Sequence, residues 1–386
     1  MTWNILNRLK KNYNCMCIGH NYFGETIHPP IKFPNRELNF KLIGTGRAKY
    51  SMDVISSEIK KNEIDIFGGL LDTFMLYEAG FLKVDTSPAK TFWYYPSDGG
   101  GVLPRNCETI LKKVNVPVAM SKFARDQVKK VYNIDSKYIP HAYNQKTFYP
   151  LNIEEKQKLR QKWLLMNKFV IGTVARNQGR KMLDKTIKAF ALFAKDKPDV
   201  VLLMHTDSND PAQVFDLKAL INRFGIRNKV LFTGGSFYRP FSYSEMNDVY
   251  NLMDVFFLST SGEGFGVPII EAMGCGIPQF VTDYTTTKEL VIDNIKTGKA
   301  IKLAGEKTDC PYPHTNEILD GTMTGSWDVE RGIMSIYDAV KQLNIVYKDK
   351  SILETYSKNS LKKAKKYYTW DVVMPMWDKL FKEMLK

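Results

Sequence analysis

The sequence predicts two α/β domains, each a parallel sheet covered by helices, and three observations carry that prediction. Strand-like and helix-like segments alternate, and the strands of the second half are uninterrupted apolar runs, as strands buried on both faces are. The length, 386 residues, exceeds what one compact core usually accommodates. A turn-rich stretch with two prolines, residues 138–150 (YIPHAYNQKTFYP), stands where a linker is needed. The domains read from this are residues 1–149, 150–360 and a C-terminal piece, 361–386.

The second half gives the clearer pattern. Lys168–Val174 (KFVIGTV) reads as a buried strand and Leu183–Lys195 as a helix, with Leu183, Ile187, Phe190 and Phe193 at helical spacing. Val200–His205 (strand), Phe215–Phe224 (helix) and Val230–Thr233 (strand) follow. Ser244–Met253 reads as a helix capped by Ser244, ahead of the strand Asp254–Ser259, a helix from Pro268 to Met273 and the strand Pro278–Thr282. Asp328–Leu343 makes an amphipathic helix through Val329, Ile333, Ile336, Val340 and Leu343. The first half repeats the rhythm more weakly. Its strands are Asn14–Gly19, Glu63–Gly68, Ala89–Tyr95, Val116–Met120 and Lys137–Ile139; its helices are Met52–Lys61 and Lys122–Val131.

Composition narrows the class. Hydrophobic residues at 44% and charged residues at 25% suit a soluble globular protein and exclude a disordered chain, a collagen-like repeat or a membrane channel. No apolar run approaches the roughly 18 residues of a spanning helix, and Met1–Lys11 lacks the apolar region of a secretory signal. Cysteines at 15, 17, 107, 275 and 310 show neither metal-ligand spacing nor a disulfide framework, so reduced thiols in the cytoplasm are expected, with no metal site. The net charge of +14 calls for an anionic partner: nucleotide phosphates, nucleic acid or an acidic membrane surface at which the protein would sit peripherally. Residues 1–150 hold 21 Lys and Arg against 13 Asp and Glu, the rest 34 against 28, so the first domain is denser in positive charge.

The chemistry concentrates in Ser259–Asp283, STSGEGFGVPIIEAMGCGIPQFVTD. Gly262, Gly264 and Gly266 allow close approach of backbone N–H groups to a ligand, and Pro268 suits the first helical position, so the loop feeds a helix N-terminus able to hold an anion. Glu263 at the loop lip and Glu271 in the first helical turn can accept hydrogen bonds from sugar hydroxyls. Among 41 acidic residues about four such pairs arise by chance, so the weight rests on the whole string.

That string, Glu-Gly-Phe-Gly-Val-Pro-Ile-Ile-Glu followed by Ala-Met-Gly-Cys-Gly-Ile-Pro, resembles the signature of family 4 of the retaining GT-B glycosyltransferases. The resemblance implies two Rossmann-like domains facing a central cleft and a final helix, with Tyr368, Trp370 and Trp377, that crosses back to the first domain. It implies that Glu271 holds the ribose of a sugar nucleotide, that Glu263 holds the donor sugar, and that Gly264, Phe265, Gly266 and Val267 lie near sugar and phosphate. Gly172–Lys181 (GTVARNQGRK) resembles the family's diphosphate segment, which makes Arg176 and Lys181 its cations, with Arg180 as substitute. Fixed cations there would stabilise the leaving diphosphate in place of a metal ion. The segment VLFTGG resembles the turn near the nucleotide base and brings in Gly234; His205, beyond the carboxyl end of its strand, is a further cleft candidate.

Two departures bear on the first domain. Met1–Asn12 reads as a helix where the family begins with a strand and a glycine-rich loop, so the first strand is expected to be missing, by truncation or by a different construction. In the segment Tyr94–Gly100, Asp98 stands where many members carry a His, and is assigned to the acceptor hydroxyl; as a turn residue before Gly99 it would do nothing chemical. His20 is more readily a structural histidine, Gly44-Thr-Gly46 lacks the third glycine of a dinucleotide loop, and Lys362, Lys363, Lys365 and Lys366 read as a solvated helix face. The resemblance thus predicts transfer of a hexose, with retention and without a metal or other cofactor, from a UDP- or GDP-sugar to a hydroxyl of a glycan, lipid or other, anionic acceptor. The competing reading is a catalytically dead GT-B protein that binds nucleic acid or an anionic membrane surface.

Overall fold

A computed structural model describes residues 2–19, 22, 24–33, 36–44, 48–101, 103–236, 238–304 and 329–386. His20, Gly46 and Cys310 lie outside the described residues. The chain forms two compact units, one of Met1–Ser97, Val102–His141 and Trp370–Lys386, the other of Asp98–Gly101 and Ala142–Thr369. The division therefore falls at 141/142 rather than at 149/150, because the Tyr143 and Tyr149 segment is already tied into the second unit: the Tyr143 N–H donates to the Tyr368 carbonyl and the Tyr149 N–H to Asn247.

In the first unit a helix, Thr2–Leu9, precedes β1 (Met16–Ile18). An antiparallel hairpin, β2 (Ile31–Phe33) and β3 (Arg36–Leu38), leads to β4 (Lys41–Ile43), which pairs parallel with β1. Neither the hairpin nor β4 was predicted; three-residue strands leave no period to read. Four further parallel strands follow in sheet order β5 (Ile66–Leu70), β6 (Lys90–Tyr95), β7 (Val116–Ala119) and β8 (Lys137–Tyr138). The helix Met52–Lys61 leads into β5, and the helix Lys122–Tyr132, capped by the Ser121 hydroxyl, joins β7 to β8. A largely apolar hollow of about 980 Å³, lined by β1, β5 and the helices beside them, leaves both strands only half-buried. The C-terminal helix Trp370–Met384 belongs to this unit: the Trp377 ring meets Phe92 and Tyr94 edge-on at centroid distances of 5.7 and 5.0 Å. The C-terminal piece is thus not one helix from 361. A separate helix, Ser351–Tyr367, stays with the second unit, and the helical run is interrupted at Tyr368–Thr369.

The second unit is a six-stranded parallel sheet. Its strands are β9 (Phe169–Val174), β10 (Val200–His205), β11 (Val230–Phe232), β12 (Val255–Leu258), β13 (Gln279–Thr282) and β14 (Gly298–Ile301), ordered β11-β10-β9-β12-β13-β14. All six residues of β9 are buried, as the unbroken apolar run predicted. The helix Leu183–Phe193 lays Leu183, Ile187, Phe190 and Phe193 into a core with Ile171, Leu202, Met204 and Phe257.

Three helix boundaries differ from expectation. The cap of Tyr243–Asn251 is Ser242, not Ser244: the Ser242 hydroxyl accepts from the Glu245 N–H, and the Glu245 carboxylate accepts from the Ser242 N–H. The amphipathic helix begins at Ile336 after the cap Ser335; Glu330 and Met334, read as helical, form isolated bridges to Gly100 and Leu303. The helix after the glycine loop is Val267–Gly274, with Pro268 second, so Glu271 stands in its second turn. The lysine run also departs from a solvated face. Lys363 is fully buried, and its ammonium donates to the carbonyl of Glu289 (3.3 Å) in the last turn of the helix Thr285–Val291 and to that of Asp293 (2.6 Å) just beyond its end.

Candidate active site

The sheet order of the second unit locates the site. From β9 the chain moves outward through β10 to β11; it then returns to β12 on the other side and moves through β13 to β14. At such a reversal the loops leaving two adjacent strands diverge, and a crevice opens outside their carboxyl ends. The loops here are residues 175–182 after β9 and 259–266 after β12, the two segments that the motifs singled out.

Hydrogen bonds to backbone carbonyls lock these loops together. The Ser261 N–H donates to the Arg180 carbonyl at 2.7 Å, and the Ser259 hydroxyl donates to the Met182 carbonyl at 2.7 Å. Gly266, at φ +95°, makes the turn into the helix Val267–Gly274, a conformation that costs a side chain energy and glycine nothing. Gly262 is required for a different reason: a Cβ there would lie 1.8 Å from the Asp98 carbonyl oxygen.

A buried charge cluster results. The Lys181 ammonium contacts one oxygen of the Glu263 carboxylate, and the Arg180 guanidinium reaches the other at 3.2 Å. Arg180 also donates to the Gly262 carbonyl at 3.1 Å and stands 3.7 Å from Asp98. Arg331 closes the cluster, donating to the Asp98 carbonyl at 2.7 Å and lying 3.2 Å from its carboxylate. Burial pushes the Glu263 carboxyl up, but Lys181 and Arg180 outweigh it and hold it at about 2. Burial likewise draws Lys181 down while Glu263 supports its charge. Three cations against two carboxylates leave one positive charge in excess, next to a helix N-terminus whose first N–H groups have no partner within the helix.

Glu271 behaves differently. Its carboxylate accepts a 2.7 Å hydrogen bond from the Tyr250 hydroxyl, and burial pushes its pKa up to about 7. The environment therefore pushes the two glutamates in opposite directions, Glu263 toward the ionised form and Glu271 toward the protonated one.

The remaining predicted residues divide between this site and elsewhere. Gly264 accepts from the Thr286 hydroxyl at 3.2 Å, Phe265 is buried with its ring edge-on to Tyr368, and Val267 opens the helix. Arg176 does not join Lys181: half-exposed, it pairs with Asp210 at 2.6 Å. Asp98, assigned to the first domain and an acceptor hydroxyl, is part of the second unit, and its carboxylate is held by Arg331 and Arg180. His205 follows β10 and its ring Nδ1 shares a 2.8 Å hydrogen bond with the Thr233 hydroxyl; burial lowers its pKa and keeps it neutral. Gly234 takes φ +82° in the turn after β11, beside Gly235, which packs against His205. Sequence reasoning missed Tyr250 and Arg331, which carry no local motif and reach the site by folding alone, and Asp210, the partner of Arg176. Among the described residues no group of His, Cys, Asp and Glu has the makings of a metal site, and no helix is long and apolar enough to cross a membrane.

Residues 155–304 match the family described as Glycosyl transferases group 1. The chain is 27% identical over 191 residues to mannosylfructose-phosphate synthase of Agrobacterium fabrum, a match spanning 47% of this chain and 39% of that protein. Among solved structures it resembles sucrose-phosphate synthase from Thermosynechococcus elongatus, with a TM-score of 0.74 and 15% identity over 99% of this chain and 92% of the other. It also resembles Anabaena HepE in complex with UDP and glucose, at a TM-score of 0.64 and 15% identity over 90% and 86% of the two chains. The fold is therefore GT-B, and the part of the chain that matches the glycosyl transferases group 1 family is residues 155–304 of the second unit.

Proposed function

We propose that this chain transfers a hexose from a UDP- or GDP-sugar to an acceptor hydroxyl with retention of configuration. The observation that carries the reading is the buried Lys181–Glu263–Arg180 constellation at the sheet's reversal point, beside the N-terminus of Val267–Gly274. As the glycosidic bond breaks, the leaving diphosphate gains negative charge. Lys181 and Arg180, fixed before the reaction by Glu263 and by backbone carbonyls, would stabilise that charge without reorganising, and the acceptor proton would pass to the departing phosphate. This is the work a divalent cation does elsewhere, so turnover insensitive to chelators is part of the proposal. Glu271, in its ionised form, would accept from ribose hydroxyls, and Glu263 from the donor sugar. The UDP bound in the HepE structure supports a uridine donor, and the mannosyl chemistry in the names of curated relatives keeps a GDP-sugar in view. The acceptor is a glycan, a lipid or another hydroxyl compound. A cytoplasmic setting is part of the proposal, supported by Cys15, Cys17, Cys107 and Cys275 not being joined in disulfides.

The experiment is a thermal-shift panel of UDP, GDP, ADP and their common sugars on wild type and Glu271→Ala. A ligand at about 100 times its dissociation constant stabilises by about 2.7 kcal/mol. One nucleotide should raise the wild-type midpoint and leave the variant unmoved. No shift with any of them in a folded sample would overturn the proposal and leave the anion-binding alternative.

A further inference from the structure

Tyr250 lies on the helix Tyr243–Asn251, 21 residues before Glu271 in the helix that follows the glycine loop, and the two side chains meet. Its side chain is fully buried, with the ring wedged between Phe148 and Phe256 at centroid distances of 5.7 and 6.2 Å. That packing leaves the ring little freedom, and it aims the hydroxyl at one atom, Oε2 of Glu271, 2.7 Å away. We infer that Tyr250 is the positioning residue of the nucleotide site: it fixes one oxygen of the Glu271 carboxylate and turns the other toward a ligand hydroxyl. The inference rests on the proposal that Glu271 receives the ribose of a sugar nucleotide.

The chemistry follows from what surrounds the pair. A carboxylate that accepts two ribose hydroxyls must be ionised and held in one rotamer. Glu263 obtains both from Lys181 and Arg180, whereas Glu271 is acted on by burial and by the Tyr250 hydroxyl. Its surroundings are Tyr250 and, one turn further along its own helix, Cys275, whose thiol donates to Asn247 and near which Lys156 stands. A phenol is the group that can anchor a carboxylate here without a charge of its own. It donates one hydrogen bond, stabilises the ionised form, and leaves the second oxygen open. Because burial works against that ionised form, the tyrosine bond sets how much of the site is competent near neutral pH.

Tyr250→Phe removes one oxygen atom and keeps the ring, so packing is preserved. Two readouts separate this inference from the nucleotide reading beneath it. The first is calorimetric affinity for UDP and for GDP across pH, in wild type, Tyr250→Phe and Glu271→Gln. Wild-type affinity should fall as pH drops through Glu271's titration. The Phe variant should bind about tenfold more weakly near neutrality, as for loss of a hydrogen bond to a charged group, and should regain affinity at higher pH; the Gln variant should show no such titration. The second readout needs no nucleotide. Glu271 is raised above its unfolded value, so its protonation stabilises the fold at low pH and that contribution is lost as pH rises from 4.5 to about 7. In Tyr250→Phe the loss should extend to higher pH. Wild type that binds neither nucleotide would sink the nucleotide reading alone. Unchanged pH dependence of both affinity and melting in Tyr250→Phe would overturn the role given to Tyr250.

Discussion

Replacing Glu263 by Gln tests the charge cluster where it is most exposed to failure. The substitution keeps shape and one hydrogen-bond acceptor but removes the anion shared by two buried cations. The carboxyl sits at about 2 against an ordinary 4.5, which at 1.36 kcal/mol per unit is worth about 3 kcal/mol. Breaking a buried ion pair from one side costs about 3–5 kcal/mol by mutational precedent, so the two routes agree. At about 2–4 °C per kcal/mol for a unit of this size, the melting midpoint should fall by about 6–12 °C near neutral pH. The pH dependence has a fixed sign. A depressed carboxyl contributes stability above its unfolded value that is lost as pH falls, so the gap between wild type and variant should narrow from 4.5 down to about 2. Scanning calorimetry of both proteins over that range measures it. A midpoint within about 2 °C of wild type, or a gap indifferent to pH, would refute the assignment of Glu263 as the compensating anion.

Other predictions follow from single contacts. Gly262→Ala places a methyl group 1.8 Å from the Asp98 carbonyl and should destabilise the second unit by about 3 kcal/mol or more, read as a lowered denaturant midpoint. Lys363→Met keeps the buried stem but leaves the carbonyls of Asp293 and Glu289 without that donor, at a cost of about 1–3 kcal/mol in the same measurement. Arg180→Ala should lower the transfer rate far more than Arg176→Ala, since Arg180 touches Glu263 whereas Arg176 is half-exposed and spent on Asp210; equal losses in turnover assays would refute that distinction.

Much of the second unit could be read directly from the sequence. Strands β9 and β10 are unbroken apolar runs, and the helix between them keeps a 3.6-residue period, so local pattern and tertiary burial ask for the same thing. The glycine loop could be read because its residues are adjacent and each has a local backbone reason to be there. Local signals misled where two patterns coincide: Val329 and Ile333 extend the period of the true helix backward, although bridges hold that stretch in place. Lys363 looked like its lysine neighbours because exposure is not written in residue type.

The sequence by itself determined the α/β class, the parallel sheet of the second unit, and the segment that carries Glu263 and Glu271. These, with Glu263 in the loop and Glu271 in the helix that follows it, depend on periodicity and on backbone preferences that act over a few residues. Only the tertiary structure decided which charges meet. It brought Asp98 and Arg331, 233 residues apart, onto one carboxylate–guanidinium contact. It gave Lys181 and Arg180 to Glu263 while sending Arg176 to Asp210, and it set Tyr250 against Glu271. Those pairings depend on desolvation and on the order in which six strands lie side by side. Neither quantity is local to any stretch of the chain.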